Sequence, residues 1–322
     1  MLRNWPLSRP ATVLVILAAL ALISIACFMT LGVRGNWGFV LEFRGRKLLG
    51  LILVGYAVAV STVLFQTVTN NRILTPSIMG FDSLYVLIQT AIMFFLGTGV
   101  FALMNVHLRF SVEVLLMVGF SGLLFRWLFM GEERSLHLLV LIGIVFGVFF
   151  RSLSNFLQRM LDPNAFQVLQ DSLFASFSTI DTTLLGISWS IVAAISVALW
   201  RMGHCFDVLA LGRAPAIGLG VEYKRSVVLI LVMVSILVAV STALVGPITF
   251  FGLLVASLAH GLIGASKHRH ILPAAVLLAI ISLVGGQTVL ERIFAFNTAL
   301  SIIIEFLGGL VFIFLVIRRT AK

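Results

Sequence analysis

Ten stretches of this chain stay apolar over the length of a bilayer-crossing helix, at roughly 11–31, 48–67, 78–101, 108–130, 136–159, 182–201, 226–245, 248–265, 271–290 and 299–317. A helix rises 1.5 Å per residue, so about 20 such residues cross a ~30 Å hydrocarbon layer. Strands in lipid leave backbone groups without partners, so the runs are expected to be helices. The expectation is an all-α, polytopic integral membrane protein with about ten transmembrane helices, forming one domain over 1–322. Composition agrees, since 61% of the 322 residues are apolar and only 11% charged, which excludes a water-soluble globule. The first run is too long for the core of a signal peptide and is kept as a helix.

An even number of crossings puts both termini on one side. More of the Arg and Lys residues fall on that side than on the other, which makes it the cytoplasmic side and accounts for a net charge of +10 without nucleic acid. One cluster opposes the bias: Arg44, Arg46 and Lys47 stand together on the outer side. The segment 163–180 is amphipathic and reads as a short helix on one face. The loop 204–225 is cytoplasmic by this count, half apolar and broken at Gly212 to Pro215. It reads as two short helices offering a surface to another molecule.

The few lysines complete no phosphate loop, and no metalloprotease or nucleophile-elbow motif occurs, so the chain is not expected to be an enzyme. Cys27 and Cys205 form no disulfide framework or metal spacing, and no cofactor is expected. Charges inside the spans are costly and therefore informative. Glu305 lies in the last run; Arg151, Asn155 and Gln158 lie in the outer half of the fifth. They read either as the polar wall of a solute pathway or as a snorkelling arginine and a hydrogen-bonded structural acid. Gly143 and Gly147, and Gly308 with Gly309, have helix-packing spacing. Gly246-Pro-Ile-Thr-Phe-Phe-Gly252 is a breaker that fits a tight external turn or a kink within a helix.

Four fragments in order resemble one family. They are Arg44-Gly-Arg-Lys47 before Leu53-Val-Gly55, Gln66…Asn71-Arg-Ile-Leu-Thr-Pro76…Met79-Gly80, Leu211-Gly212…Leu219-Gly-Val221, and Gly246-Pro-Ile-Thr-Phe-Phe-Gly-Leu253. The pattern is similar to the FecCD-type permeases of ABC importers for iron–siderophore complexes, haem and cobalamin, from about residue 40 to the C-terminus. Lys47 departs from the family's second arginine, Arg72 from a proline, and Ala256-Ser257-Leu-Ala-His260 from a Pro-His-x-x-Arg. The stretch from Gln287 to Gly309 looks most like ferric-catecholate members.

The resemblance implies a type II ABC importer permease in a bacterial inner membrane. Its partners would be a second permease (a paralogue or identical copy), two cytoplasmic ABC ATPase subunits and a periplasmic siderophore-binding protein. Acidic groups on that binding protein would dock on Arg44, Lys47 and Arg292. The 204–225 loop would be the coupling segment, with Leu209, Leu211, Ile217 and Leu219 filling a groove on the ATPase. Asp207, Arg213 and Glu222 would form its rim, with Gly212, Gly220 and Val221 shaping it. The pathway would run between two permeases past the fifth and tenth spans, where Arg151 suits a polyanionic ferric catecholate. Haem or cobalamin uptake is the alternative within this class. An ion-coupled secondary transporter is the alternative outside it.

Overall fold

The computed structural model of the chain describes residues 10–33, 37–129, 136–178, 180–264, 267–293 and 300–320. Arg3, Arg9, Arg34, Arg134 and Lys322, which enter the charge bias, lie outside the described residues. Within them the chain runs α1 (Pro10–Thr30), α2 (Trp37–Thr69), a 3₁₀ turn (Pro76–Met79), α3 (Phe81–Leu103), α4 (Val106–Phe129), α5 (Leu136–Arg159) and α6 (Pro163–Leu173). It continues through α7 (Thr182–Arg201), α8 (Gly203–Leu209), α9 (Arg213–Gly218), α10 (Tyr223–Val245), α11 (Phe251–Ile263), α12 (His268–Arg292) and α13 (Leu300–Thr320). Eight described helices are long and apolar enough to cross a membrane, and α11, at 13 residues, is a shorter apolar helix.

The second run differs from its expected bounds. Helix α2 has 33 residues and starts at Trp37, so Arg44, Arg46 and Lys47 lie within a helix and not in the loop before it. Charges lower hydropathy without stopping a helix, since Arg and Lys are good helix formers. Helix α6 forms within the amphipathic 163–180 segment. Asp162 Oδ1 accepts from the N–H groups of Asn164 and Ala165 at 2.9 Å, and Pro163 opens the first turn.

Helices α2, α10 and α12 form the centre. Leu51, Leu53, Ala57, Val63, Ile230, Leu231, Leu237, Ala274, Ala275, Ala279 and Leu283 are all 0% exposed. A helix apolar on every side belongs inside a bundle. Small residues let these backbones approach, as where Gly55 faces Ala279.

Two contacts between α2 and α12 mark the ends of the bundle. At one end Lys47 Nζ pairs with Glu291 Oε1 at 2.8 Å; at the other Thr67 Oγ1 meets His268 Nε2 at 2.6 Å. Helix α1 finishes at the Lys47 end, because Leu31 accepts from Arg44 and Arg292 there. Helix α13 starts beside Gly286 near the same end and passes Phe250 midway. The first helix therefore begins, and the last ends, on the side of the α8–α9 loop.

The choice between turn and kink at Gly246 is resolved by depth. Gly246, Ile248 and Thr249 share a cavity lining with Val54, Val58, Ser61 and Thr62, midway between those two end contacts. The chain turns inside the bundle, with α10 ending at Val245 and α11 starting at Phe251. The 3₁₀ turn before α3 reaches the same level, where Gly80 meets the backbone of Gly147 and Met79 that of Gly143. These glycines serve packing within the chain, as does Gly308 against Phe250.

A Cβ added at Gly147 would lie 3.1 Å from the Cα of Gly80, whereas one at Gly186 meets nothing within 4 Å. Gly147→Leu is expected to destabilise the detergent-purified chain by about 1–3 kcal/mol or more, as overpacking does. Gly186→Leu is expected to leave the melting temperature nearly unchanged. Equal melting of the two variants would remove the close approach as the reason for Gly147.

Candidate functional site

The α8–α9 loop has an anchored face and an open face. Phe206 and Leu209, both 2% exposed, and Ala216, at 0%, hold it to the bundle. Leu211, Ile217 and Leu219 point away, at 60%, 53% and 64% exposure. Arg213 and Glu222 are exposed beside them, and Glu222 pairs with Arg225 at 3.4 Å. Gly212 at φ +97° and Gly220 at φ +84° bracket α9. Gly220 closes a Schellman turn, its N–H bonding to Ile217 O and that of Val221 to Ala216 O at 3.0 Å each. A side chain at either φ would be strained.

Two residues expected at the outer surface of this loop make contacts within the chain: Leu209 is buried, and Asp207 is bonded to α12 while its side chain stays 42% exposed. Leu209 is packed in the chain's own core, so it is not available to fill a groove on another protein. The helical period explains this, because Leu209 lies three residues after Phe206 on the same face of α8. Asp207 is turned towards α12. Its Oδ1 accepts from the backbone N–H of His268 at 2.8 Å and from ring Nδ1 at 2.7 Å. His268 is 4% exposed and reaches Thr67 of α2 on its other nitrogen. The edge of Phe206 packs on its ring at 5.8 Å. One carboxylate thus ties the loop to both central helices.

Burial pushes the Asp207 carboxyl up, but the backbone N–H and ring of His268, with Lys267 nearby, outweigh it and hold the group below the usual carboxylate range. A carboxyl depressed in the folded state contributes stability above its unfolded pKa of about 4 and loses it as pH falls through the folded value. Asp207→Asn is therefore expected to melt below the parent at pH 7, with the gap closing as pH drops below about 4. A gap independent of pH would remove the ionised carboxylate as its source.

At the opposite end the expected outward cations are largely occupied within the chain. Lys47 is 4% exposed and paired with Glu291, so it does not offer its charge to a docking protein. Arg44 Nη1 donates to the carbonyls of Phe28, Met29 and Leu31 at 2.8, 3.1 and 3.0 Å. Arg292 donates to Leu31 as well. Both close the C-terminus of α1, where carbonyls lack helical partners and a positive charge is favoured. Arg292 remains exposed and Arg44 half-buried; Arg46 is exposed and paired with Glu42.

Midway between the ends, Arg151 and Asn155 lie one turn apart on an exposed face of α5, among Val148, Phe149 and Phe156 at 55–61% exposure. Gln158 does not join them: it is half-buried and donates to Thr90 Oγ1 of α3 at 3.1 Å. Glu305 of α13 is half-buried beside the backbone of Thr249.

More ionisable groups lie inside than the sequence reading singled out. Asp82, 9% exposed, opens α3 within electrostatic reach of Arg151 and Glu305. Glu113, at 1%, accepts from Gln89 Nε2 at 2.6 Å and from Arg109 Nε at 3.1 Å, while Arg109 lies over the Phe101 ring at 4.3 Å. The i,i+4 spacing of Arg109 and Glu113 was the available signal for that pair. No group of three or more His, Cys, Asp or Glu suited to a metal occurs among the described residues.

Comparisons with known proteins fit this architecture. The sequence profile of the FecCD transport family matches residues 10–318. The petrobactin import system permease protein YclO of Bacillus subtilis is 49% identical over 304 residues, 94% of this chain and 96% of that protein. The petrobactin import system permease protein FatC of Bacillus anthracis is 36% identical over 282 residues, 88% of this chain and 80% of that protein. A solved structure described as an inward-facing metal-chelate type ABC transporter superposes with a TM-score of 0.82. It covers 95% of this chain and 99% of its own at 24% identity, a likeness of fold.

Proposed function

The chain belongs to the FecCD transport family, and from that premise we propose that it is the permease through which an ABC importer moves a ferric siderophore of the catecholate class into the cell. The observation that carries the substrate class is the 49% identity, over nearly the whole of both chains, to a permease for petrobactin, a catecholate-type siderophore. The chain is a transport subunit of an ABC importer, and ATP is hydrolysed on a separate subunit.

Each part of the geometry has a place in that reading. Leu211, Ile217 and Leu219 form the apolar ridge that seats on an ATPase, with Arg213 and Glu222 beside it. Gly212, Gly220 and Val221 hold the ridge's shape, and Asp207 fastens it to α12 and α2, so that a push on the loop moves the central helices as a body. The loop side is cytoplasmic, in keeping with the excess of Arg and Lys there. Arg151, Asn155 and Glu305 belong to the face turned towards a second permease, an identical copy or a paralogue. A polyanionic chelate would meet Arg151 there in passing.

The deciding experiment is uptake of radiolabelled ferric siderophores in a strain lacking the gene. Loss of one catecholate-type chelate, with hydroxamate chelates, haem and cobalamin unaffected, is the expected outcome. Uptake of every ferric siderophore at the parental rate refutes the substrate class. Uptake that survives vanadate but not an uncoupler refutes ATP-driven import.

Docking of the binding protein falls to Arg292 and the exposed part of Arg44. Arg292→Glu is expected to weaken that association roughly tenfold at low salt, with the difference shrinking as salt is raised. Unchanged affinity at low salt would remove the assignment. Reversal of Lys47 is no test of docking, because it breaks an internal pair.

A further inference from the structure

The cavity at mid-depth between α2, the start of α3 and the Gly246 break has one acid, Asp82, and several hydroxyl side chains among apolar lining residues such as Val54, Val238 and Ile248. Its free volume of about 20 Å³ has room for one occupant the size of a water molecule. Asp82 borders it, 9% exposed. The hydroxyls of Ser77 and Thr249 approach this carboxyl, yet Oδ2 is buried with no hydrogen-bond partner among the described residues.

Two of the lining hydroxyls, those of Ser61 and Ser241, favour a cation as the occupant. Ser61 Oγ donates to Val58 O at 3.1 Å, and Ser241 Oγ donates to Val238 O at 3.0 Å. Their protons are committed to carbonyls of their own helices, so towards the cavity they present lone pairs only. A carboxylate oxygen and hydroxyl lone pairs suit a hard cation and repel an anion. Two helices also break at this level, at the 3₁₀ turn before α3 and at Gly246, and unwound backbone at such breaks is a recurrent place for small cations in membrane proteins.

Charge balance selects the valence. Asp82 is the one charged residue among those that line the cavity, and Arg151 and Glu305, outside the lining, act on it in opposite senses. A monovalent ion cancels the Asp82 charge, whereas a divalent ion would leave a net positive charge midway through the bilayer, where uncompensated charge is expensive.

We propose that this cavity is a binding site for one small monovalent cation, sodium, with Asp82 as its charged ligand and Ser61, Ser241, Ser77 and Thr249 as neutral oxygen ligands. The ion pins α2 and α10 to the two internal helix breaks. The site is independent of the transported chelate, and its test does not involve transport.

The full chain, purified in detergent, is unfolded by heat in sodium, potassium or choline chloride at one ionic strength, with tryptophan fluorescence as the readout. Sodium is expected to raise the melting temperature saturably over choline, on the order of several degrees. Asp82→Asn removes the rise. Ser241→Ala, which deletes one neutral ligand and little volume, shifts the sodium midpoint upward ~10-fold. Equal melting of the parent in sodium and choline means a site for water only and overturns the proposal. So does a sodium rise that persists in Asp82→Asn, or potassium raising the melting temperature at lower concentration than sodium. If Asp82→Asn does not fold, Ser241→Ala decides alone: an unmoved midpoint overturns the site.

Discussion

Lys47→Met is expected to lower the stability of the purified permease by about 3–5 kcal/mol, because it strands Glu291 in the bundle without its counter-charge. Lys47 is 4% and Glu291 11% exposed at the side chain, and their 2.8 Å pair joins the two central helices. Against a total stability of about 5–15 kcal/mol for a typical folded protein, such a loss is severe. Gln287 softens the Lys47→Met loss slightly, since its Nε2 already donates to Glu291 Oε1 at 2.9 Å. Glu291→Gln removes the carboxylate of the same pair and should also lower stability. The double variant Lys47→Met with Glu291→Leu should recover much of the loss, since an apolar pair of similar volume carries no desolvation penalty. A double-mutant cycle on the melting curves measures this coupling directly. If Lys47→Met stays within about 1 kcal/mol of the parent, water reaches the pair and the buried-pair account is wrong.

Replacing Leu211 and Leu219 together with aspartate is expected to detach the ATPase subunits and abolish uptake while leaving the permease folded. Both side chains are exposed in the isolated chain, at 60% and 64%, so its own core loses nothing. In an apolar groove each leucine contributes about 1.5–3 kcal/mol of burial. Losing two therefore weakens association at least ~100-fold, before the cost of burying two carboxylates is counted. Co-purification of ATPase with the permease reads the association, and the melting temperature reads the fold. A complex of normal stoichiometry, with uptake intact, would sink the coupling role. Leu209 is the instructive control: at 2% exposure, its replacement by aspartate should damage the fold itself, and a loss of uptake there reports nothing about the groove.

The contrast between Leu209 and Leu211 shows how far a linear reading reaches. Both are leucines in one apolar loop, and periodicity along so short a stretch does not say which turns outward. The same holds for the cations at the other end. Arg44, Lys47 and Arg292 formed one outward cluster on the page, yet Lys47 answers an acid 244 positions away and Arg44 closes the end of α1. Asp82 and Glu113 are not legible in the sequence as buried acids, because a single acid near the start of an apolar run looks like the end of a loop. Arg151 and Asn155 lie one helical turn apart, a spacing readable in the sequence, and both are exposed. Gln158, three residues further on, rotates onto α3.

What this sequence determines by itself is whatever local physics dictates. Lipid cannot satisfy a bare backbone, so apolar runs of this length become helices, and Gly212 and Pro215 break the loop where they stand. What only the tertiary structure decides is the partner of each polar group. A charge on a helix reads the same in sequence whether it meets water, a carbonyl or an opposite charge. Which of these it meets depends on the rotation of that helix against neighbours as much as 261 residues away. That rotation comes from packing the small and large apolar side chains of α2, α10 and α12, and it leaves no local mark on the chain.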